Sequence, residues 1–339
     1  MLTFDGNRGF KVVSIGGGTG LSTLLAGLKK YVGRNNASDP WLESLSAIVT
    51  VTDDGGSSGR LRDELQILPP GDIRNCMVAL SEDSTLLSRL FQYRFRGSGE
   101  LGGHSFGNLF LAALTEVTGD FVEAVRLSTE ILASKGRIFP ATLNDVRLVA
   151  ELEDGSIVRG ETQITASRTP IKHLQLEPEH CLPLPETLAA IRNADAITIG
   201  PGSLFTSLLP NLLVARVADV IASSGATKIF ICNLMTQPGE TDGFTARQHL
   251  ETTKEYADSI KFDYILVNNR PISEEQALLY GADRSFQIGL TPHSLEDGVG
   301  GETEIVRADL LDEGDKVRHN SEKLARVVIA CCEHARDGA

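Results

Sequence analysis

The chain has little of several things that would mark common protein classes. It carries five cysteines in 339 residues, an odd number with no Cys-x-x-Cys spacing. That density suggests neither a disulfide framework nor a zinc site. Cys76, Cys181, Cys232, Cys331 and Cys332 are therefore expected as buried or inert thiols. Cations are also scarce. Lys and Arg number 32 against 45 Asp and Glu, a net charge of −13. A general nucleic-acid binder needs a basic face to displace counterions, so that class is excluded, although a local basic pocket for one phosphate group is not. No run of 18 apolar residues occurs, and residues 1–10 have no apolar signal core. Neither a membrane span nor standard secretion is expected, and the chain reads as cytoplasmic. Two familiar nucleotide signatures are missing as well. Gly-x-Gly-x-x-Gly would need glycine where Leu21 or Thr23 stands, and no Gly-Lys-Ser/Thr completes a P-loop. There is no internal repeat, no low-complexity segment, no His/Cys metal cluster and no Ser-His-Asp arrangement legible from spacing.

What is present is a real core composition, 41% hydrophobic and 23% charged, with 33 glycines gathered in short clusters after apolar runs. Such clusters bring backbone close to a ligand or to another element. Residues 11–15 read as a buried strand, Gly16-Gly17-Gly18-Thr19-Gly20 as a turn, and Leu21, Leu24, Leu25 and Leu28 as one helix face. Residues 47–52 form a second strand. Residues 72–134 have helical spacing, with Asp72 and Asp120 suited to N-caps. The period then shortens, and residues 146–152 and 156–161 flank Asp154-Gly155, a hairpin signal. After it, residues 196–199, 228–232 and 264–267 are strands followed by helices, and a last helix covers 321–334. Length alone fits about two domains at roughly 150 residues each, or one larger domain with an insertion. The alternation predicts the second: an α/β, Rossmann-like, doubly wound and mostly parallel sheet in three layers. It forms a single domain over 1–339, interrupted by a small antiparallel β-hairpin insertion at 137–177.

Ligands of such sheets sit at the carboxyl ends of the strands, where strand order reverses. The polar clusters of this chain lie there. At Gly17, Gly18, Thr19 and Gly20 small residues let a phosphate or sugar approach a helix start, with Thr19 and Ser22 adding hydroxyls; the same turn also suits plain helix–strand packing. Asp53 and Asp54 stand in a turn rich in Gly and Ser, with Ser57 and Ser58. Two carboxylates there suit Mg²⁺ held through water, an oriented hydroxyl, or a ribose, or else an acidic cap. Arg60 and Arg62 suit a phosphate or a solvated helix face. Arg74 and Asn75 fall in the first turn after Asp72, where they can face the same cleft. His104, beside two glycines at a helix start, is expected to be exposed enough for proton transfer, or else it or Ser105 is a cap. Gly200, Gly202 and Ser203 form a second glycine junction fit for an anion or sugar. Asn233 and Gln237 suit a base or sugar, and Arg318 suits a phosphate fork or a surface turn. Asn320 or Ser321 is expected to cap the last helix.

Several of these motifs in order resemble one family. The runs Ile15-Gly16-Gly17-Gly18-Thr19-Gly20, Val51-Thr52-Asp53-Asp54-Gly55-Gly56-Ser57-Ser58-Gly59-Arg60-Leu61-Arg62 and Pro69-Pro70-Gly71-Asp72-Ile73-Arg74-Asn75 are similar to those of the YvcK-type gluconeogenesis factors, relatives of the 2-phospho-L-lactate transferase CofD. So are Gly103-His104-Ser105-Phe106-Gly107-Asn108 and Asn233-Leu234-Met235-Thr236-Gln237-Pro238-Gly239-Glu240-Thr241. The resemblance covers nearly the whole chain. It implies a Rossmann-like fold, often a homodimer, and a cytoplasmic role in carbon metabolism, cell shape and cell-wall growth, with regulatory protein partners. It implies UDP-sugar binding for this branch, through Gly17, Gly18, Thr19 and Arg318, with Asp53 and Asp54 on ribose or Mg²⁺ and Asn108 in a shared motif. The transferase branch moves a lactyl phosphate moiety from a guanosine-linked donor with Mg²⁺. There Asp53, Asp54 and His104 would be catalytic. A nicotinamide-dependent oxidoreductase has no fingerprint to support it.

Overall fold

The computed structural model describes residues 8–33, 40–82, 86–289 and 303–338. Its ten strands are β1 (Phe10–Gly16), β2 (Leu42–Val49), β3 (Arg137–Pro140), β4 (Arg147–Leu152), β5 (Ile157–Arg159), β6 (Ile171–Glu177), β7 (Ala196–Ile199), β8 (Thr227–Ile231), β9 (Tyr264–Asn268) and β10 (Glu304–Ala308). Seven of them form one sheet in the order β10-β9-β8-β7-β1-β2-β3. Every pairing in it is parallel. All residues of β7 and β9 are buried, as continuous apolar runs in a sheet covered on both faces must be. Helices flank the sheet. Gly18–Leu28 packs between Gly71–Leu80 and Ser321–Asp337. Its contact with the last helix depends on Gly27, because a Cβ there would lie 1.9 Å from the Ser321 carbonyl oxygen.

The chain leaves β1 for β2 and β3 on one side, then crosses to lay β7 to β10 on the other. Strand order therefore reverses between β1 and β7, and the loops after Gly16 and Ile199 open on one crevice.

The small sheet, β5-β4-β6, is antiparallel. The expected hairpin turn is there: Gly155 takes φ +82° and the Asp154 carboxylate accepts from the Ser156 amide. One contiguous core includes the large sheet together with Leu148, Ala150, Leu174 and Leu176 of the small one. The insertion differs from its expected bounds. Arg137–Pro140 is not part of it but pairs with β2 as the edge of the main sheet, a position that tolerates its terminal proline. The insertion also contains a helix, Glu161–Ser167. β2 begins at Leu42, ahead of the expected 47, and ends at Val49. The five cysteines are free and buried, as expected. Among the described residues no single helix is long and apolar enough to cross a membrane.

Candidate functional site

A cavity of about 410 Å³ opens at the carboxyl ends of β1 and β7. The glycine turn after β1 forms one wall and the junction after β7 another. The loop after β8 supplies Asn233, Gln237 and Glu240, the insertion helix supplies Glu161 and Thr165, and the turn before the last helix supplies Arg318 and His319. Gly17, Gly18, Thr19, Gly20, Gly202 and Ser203 all line it.

The glycines there have local reasons. A Cβ on Gly20 would lie 2.4 Å from the Pro201 carbonyl oxygen, and one on Gly17 would lie 2.7 Å from Thr50 Cγ2. Both turns can thus meet only without side chains. Gly200 lies behind the cavity at φ +92°, with the Ile231 carbonyl where a Cβ would stand. Asn233 accepts from the Gly202 amide at 3.1 Å and so ties the β8 loop to the β7 junction. Ser203 donates to the Glu240 carboxylate and accepts from Thr206 at 2.8 Å.

Asp72 is not the expected cap. Its helix, Gly71–Leu80, begins after Pro70 and has no side-chain cap. The Asp72 carboxylate instead accepts from the Gly18 amide at 2.8 Å, so that N–H is already bonded within the protein. Lost hydration, and then the neighbouring Asp53 carboxylate, push Asp72 up to about 6. Burial likewise raises Glu161 well above the carboxylate range, reinforced by Asp53, Asp72 and Glu240. Burial raises Glu240 too, against the hydrogen bonds from Ser203 and Thr165. The crevice therefore holds several carboxyl groups that take up protons unusually easily.

Asp53 and Asp54 diverge, as successive residues of an extended segment do. The Asp53 carboxylate accepts from the Gly55 amide at 2.9 Å and approaches the start of the Gly71–Leu80 helix. The Asp54 carboxylate accepts from the Thr162 amide at 2.9 Å and its hydroxyl at 2.7 Å, holding the start of the insertion helix. The pair does not converge on one point, and no group of three His, Cys, Asp or Glu among the described residues is arranged to hold a metal ion. As a pair they do not fit the Mg²⁺ role expected of them.

A second cluster lies beside the crevice rather than in its wall. Ser57 Oγ lies 2.9 Å from His104 Nδ1 and accepts from Asn108 Nδ2 at 3.1 Å. His104 is buried, not exposed as expected, and burial followed by Arg60 holds its pKa below the ordinary value. The expected proton-transfer role thus lacks access to the cavity. Ser105 provides the cap, accepting from the Asn108 amide. Ser58 is buried under Gly71. Arg60 donates to the Gly102 carbonyl at 2.7 Å. Arg62, expected on a phosphate or in solvent, is buried and donates to Asp145 and the Val146 carbonyl. Arg74 is buried against Gly107 and donates to Asn75 Oδ1. None of these side chains lines the cavity.

Sequence reasoning missed Glu161 and Thr165, which lie on a polar helix far along the chain with no motif around them. Glu240 lies inside the run Asn233 to Thr241 and His319 directly follows Arg318, and their burial is the signal that spacing does not carry.

Comparison with known proteins follows the same outline. The family described as 2-phospho-L-lactate transferase CofD matches residues 12–304. The chain is 46% identical over 319 residues to a gluconeogenesis factor of Halalkalibacterium halodurans, covering 94% of this chain and 95% of that one. It is 44% identical over 321 residues to the gluconeogenesis factor of Bacillus subtilis, covering 94% and 97%. A crystal structure from Bacillus halodurans, described as a member of the UPF0052 family, superposes with a TM-score of 0.87 at 45% identity, covering 95% of this chain and 99% of that one.

Proposed function

The chain belongs to the CofD family, and from that premise we propose that it is a UDP-sugar-binding regulator of carbon metabolism. The relatives named gluconeogenesis factor support the metabolic role. The observation that carries the ligand class is the cavity at the β1/β7 reversal. There the start of an 11-residue helix and the exposed guanidinium of Arg318 share one space. A helix start and a guanidinium together suit a diphosphate. The hydroxyls of Thr19, Ser203 and Thr206 and the amides of Asn233 and Gln237 suit a sugar and a base. Burial raises the pKa of Glu161 and of Glu240, which lessens the charge they present to an anionic ligand. The regulator would report nucleotide-sugar supply to protein partners that govern cell shape and wall growth during gluconeogenic growth, as a cytoplasmic homodimer.

The family description, 2-phospho-L-lactate transferase, favours a second reading, group transfer of that kind. Calorimetry separates the two. UDP-glucose and UDP-N-acetylglucosamine should bind without turnover, and Arg318→Ala should weaken them at least tenfold. Preference for GDP with Mg²⁺, and product formation with any donor–acceptor pair, would establish the transferase instead.

A further inference from the structure

The helix Glu274–Ala282 is nine residues long, and none of them is buried. A helix that short is marginal in water and normally depends on packing an apolar face. This one leaves its apolar residues outside. Leu278 and Leu279 are 78% and 64% exposed, and Phe286, just beyond the helix, is 58% exposed. What holds the helix is polar, and it leads to the cavity from two sides. Tyr280 Oη accepts from the Val317 amide at 3.0 Å, and Gln276 Nε2 donates to the Gly314 carbonyl at 3.1 Å. The segment after the helix is bonded to the loop after β8. There the Thr236 amide donates to the Phe286 carbonyl at 2.8 Å and the Ile288 amide to the Leu234 carbonyl at 2.9 Å. Asn233, Leu234 and Gln237 of that loop line the cavity, as do Val317 and Arg318 of the turn. The helix thus rests on two loops of the cavity wall, and a shift in either is passed to it.

The surface around the helix is acidic. Between it and the turn at 311–315 runs a groove of about 550 Å³. Pro271, Leu279 and Leu311 form apolar parts of its wall. Glu275, Asp312 and Asp315 are exposed along it, and Glu274 and Asp283 stand at the helix ends. Arg270 is the one cation among the described residues that line it, and it is already paired with Asp309 and Glu313. Exposed leucines beside carboxylates complement Lys or Arg side chains, whose stems are apolar and whose heads are charged. They do not complement a second copy of this chain, which brings the same carboxylates and a net charge of −13.

We propose that this helix and groove dock a protein partner through a segment that sets Lys or Arg beside apolar side chains, and that nucleotide-sugar occupancy reaches the partner through Val317 and Tyr280. The coupling rests on the nucleotide-sugar reading above; the docking surface does not.

The test titrates the full chain with fluorescein-labelled mastoparan, a basic amphipathic peptide, and with the same peptide carrying Glu at each Lys. The parent should bind the basic peptide and not the acidic one. The double variant Leu278→Ser, Leu279→Ser should bind it roughly tenfold or more weakly, and so should Glu275→Lys with Asp315→Lys. All four positions are exposed, so both variants should melt as the parent does. Val117→Ser, at an exposed apolar position on another helix, should bind as the parent does. Saturating UDP-N-acetylglucosamine should change peptide affinity several-fold, and the peptide should change nucleotide-sugar affinity by the same factor. Tyr280→Phe should keep both binding events and lose that coupling. The docking surface is overturned if the parent binds neither peptide or both alike, or if the double variants bind as the parent does. It is also overturned if sedimentation shows that Leu278→Ser, Leu279→Ser breaks a dimer of the parent, which assigns the face to a second copy. Coupling that survives Tyr280→Phe overturns the route through Val317. The peptide titrations need no nucleotide, so a parent that binds no UDP-N-acetylglucosamine contradicts the nucleotide-sugar reading and its coupling, and leaves the surface to be decided by the peptides.

Discussion

Asp72 shows how one side chain can couple the fold to the site. Its carboxylate completes the glycine turn by accepting from Gly18, yet it sits where burial and Asp53 oppose its charge. A carboxyl whose folded pKa lies near 6, above its ordinary 3.8, favours the folded state fully below about pH 4. That contribution is lost as pH rises through 6. Asp72→Asn keeps an acceptor for Gly18 without the charge. Its stability relative to the parent should therefore be near zero at pH 4 and grow to as much as about 3 kcal/mol above pH 7. Urea unfolding of both proteins across that range checks this; a constant difference would contradict it. Asp54 acts differently, through Thr162 rather than on a ligand. Asp54→Ala should speed amide exchange in Glu161–Ser167 specifically and reduce stability by about 1–3 kcal/mol. Exchange unchanged in that helix would show that another contact places it.

Among the elements, the most demanding contact is between the helices Gly18–Leu28 and Ser321–Asp337. Gly27→Ala puts a methyl group into the Ser321 carbonyl, which is backbone and cannot swing aside. Thermal unfolding should show a loss of about 1–3 kcal/mol or more, and a variant as stable as the parent would mean the helices can separate without cost. The strands flanking the glycine turns were legible in the sequence because buried parallel strands are short apolar runs with turn residues behind them. β3 was read into the insertion because four residues ending in Pro140 carry no period of their own; only pairing with β2 defines them. The early start of β2 was hidden for a related reason, since Glu43 and Ser44 break its apolar run. In the site, the glycine junctions, Asn233, Gln237 and Arg318 were legible as polar residues after strands. The partners of Asp54, Asp72, Arg62 and His104 were not. Thr162 is 108 residues from Asp54 and Asp145 is 83 from Arg62, separations that local spacing does not encode.

The molecule as a whole carries a charge of −13 and places Glu161 and Glu240 in the wall of a crevice that we assign to an anionic ligand, with Asp72 bonded to its Gly18 amide. The two are compatible because the carboxyl pKa values are raised. Binding an anion there raises them further, so the complex should take up protons. UDP-sugar affinity should therefore increase as pH falls from 8 to 6, and binding enthalpies near pH 7 should differ between buffers of different ionisation enthalpy. Affinity that is flat or rises with pH would place the ligand away from these acids.

The most direct measurement is a crystal structure of the chain grown with UDP-N-acetylglucosamine. The account expects density for the diphosphate between the start of the Gly18–Leu28 helix and Arg318. Density at any other surface, with the cavity at the β1/β7 reversal holding only solvent, would contradict it.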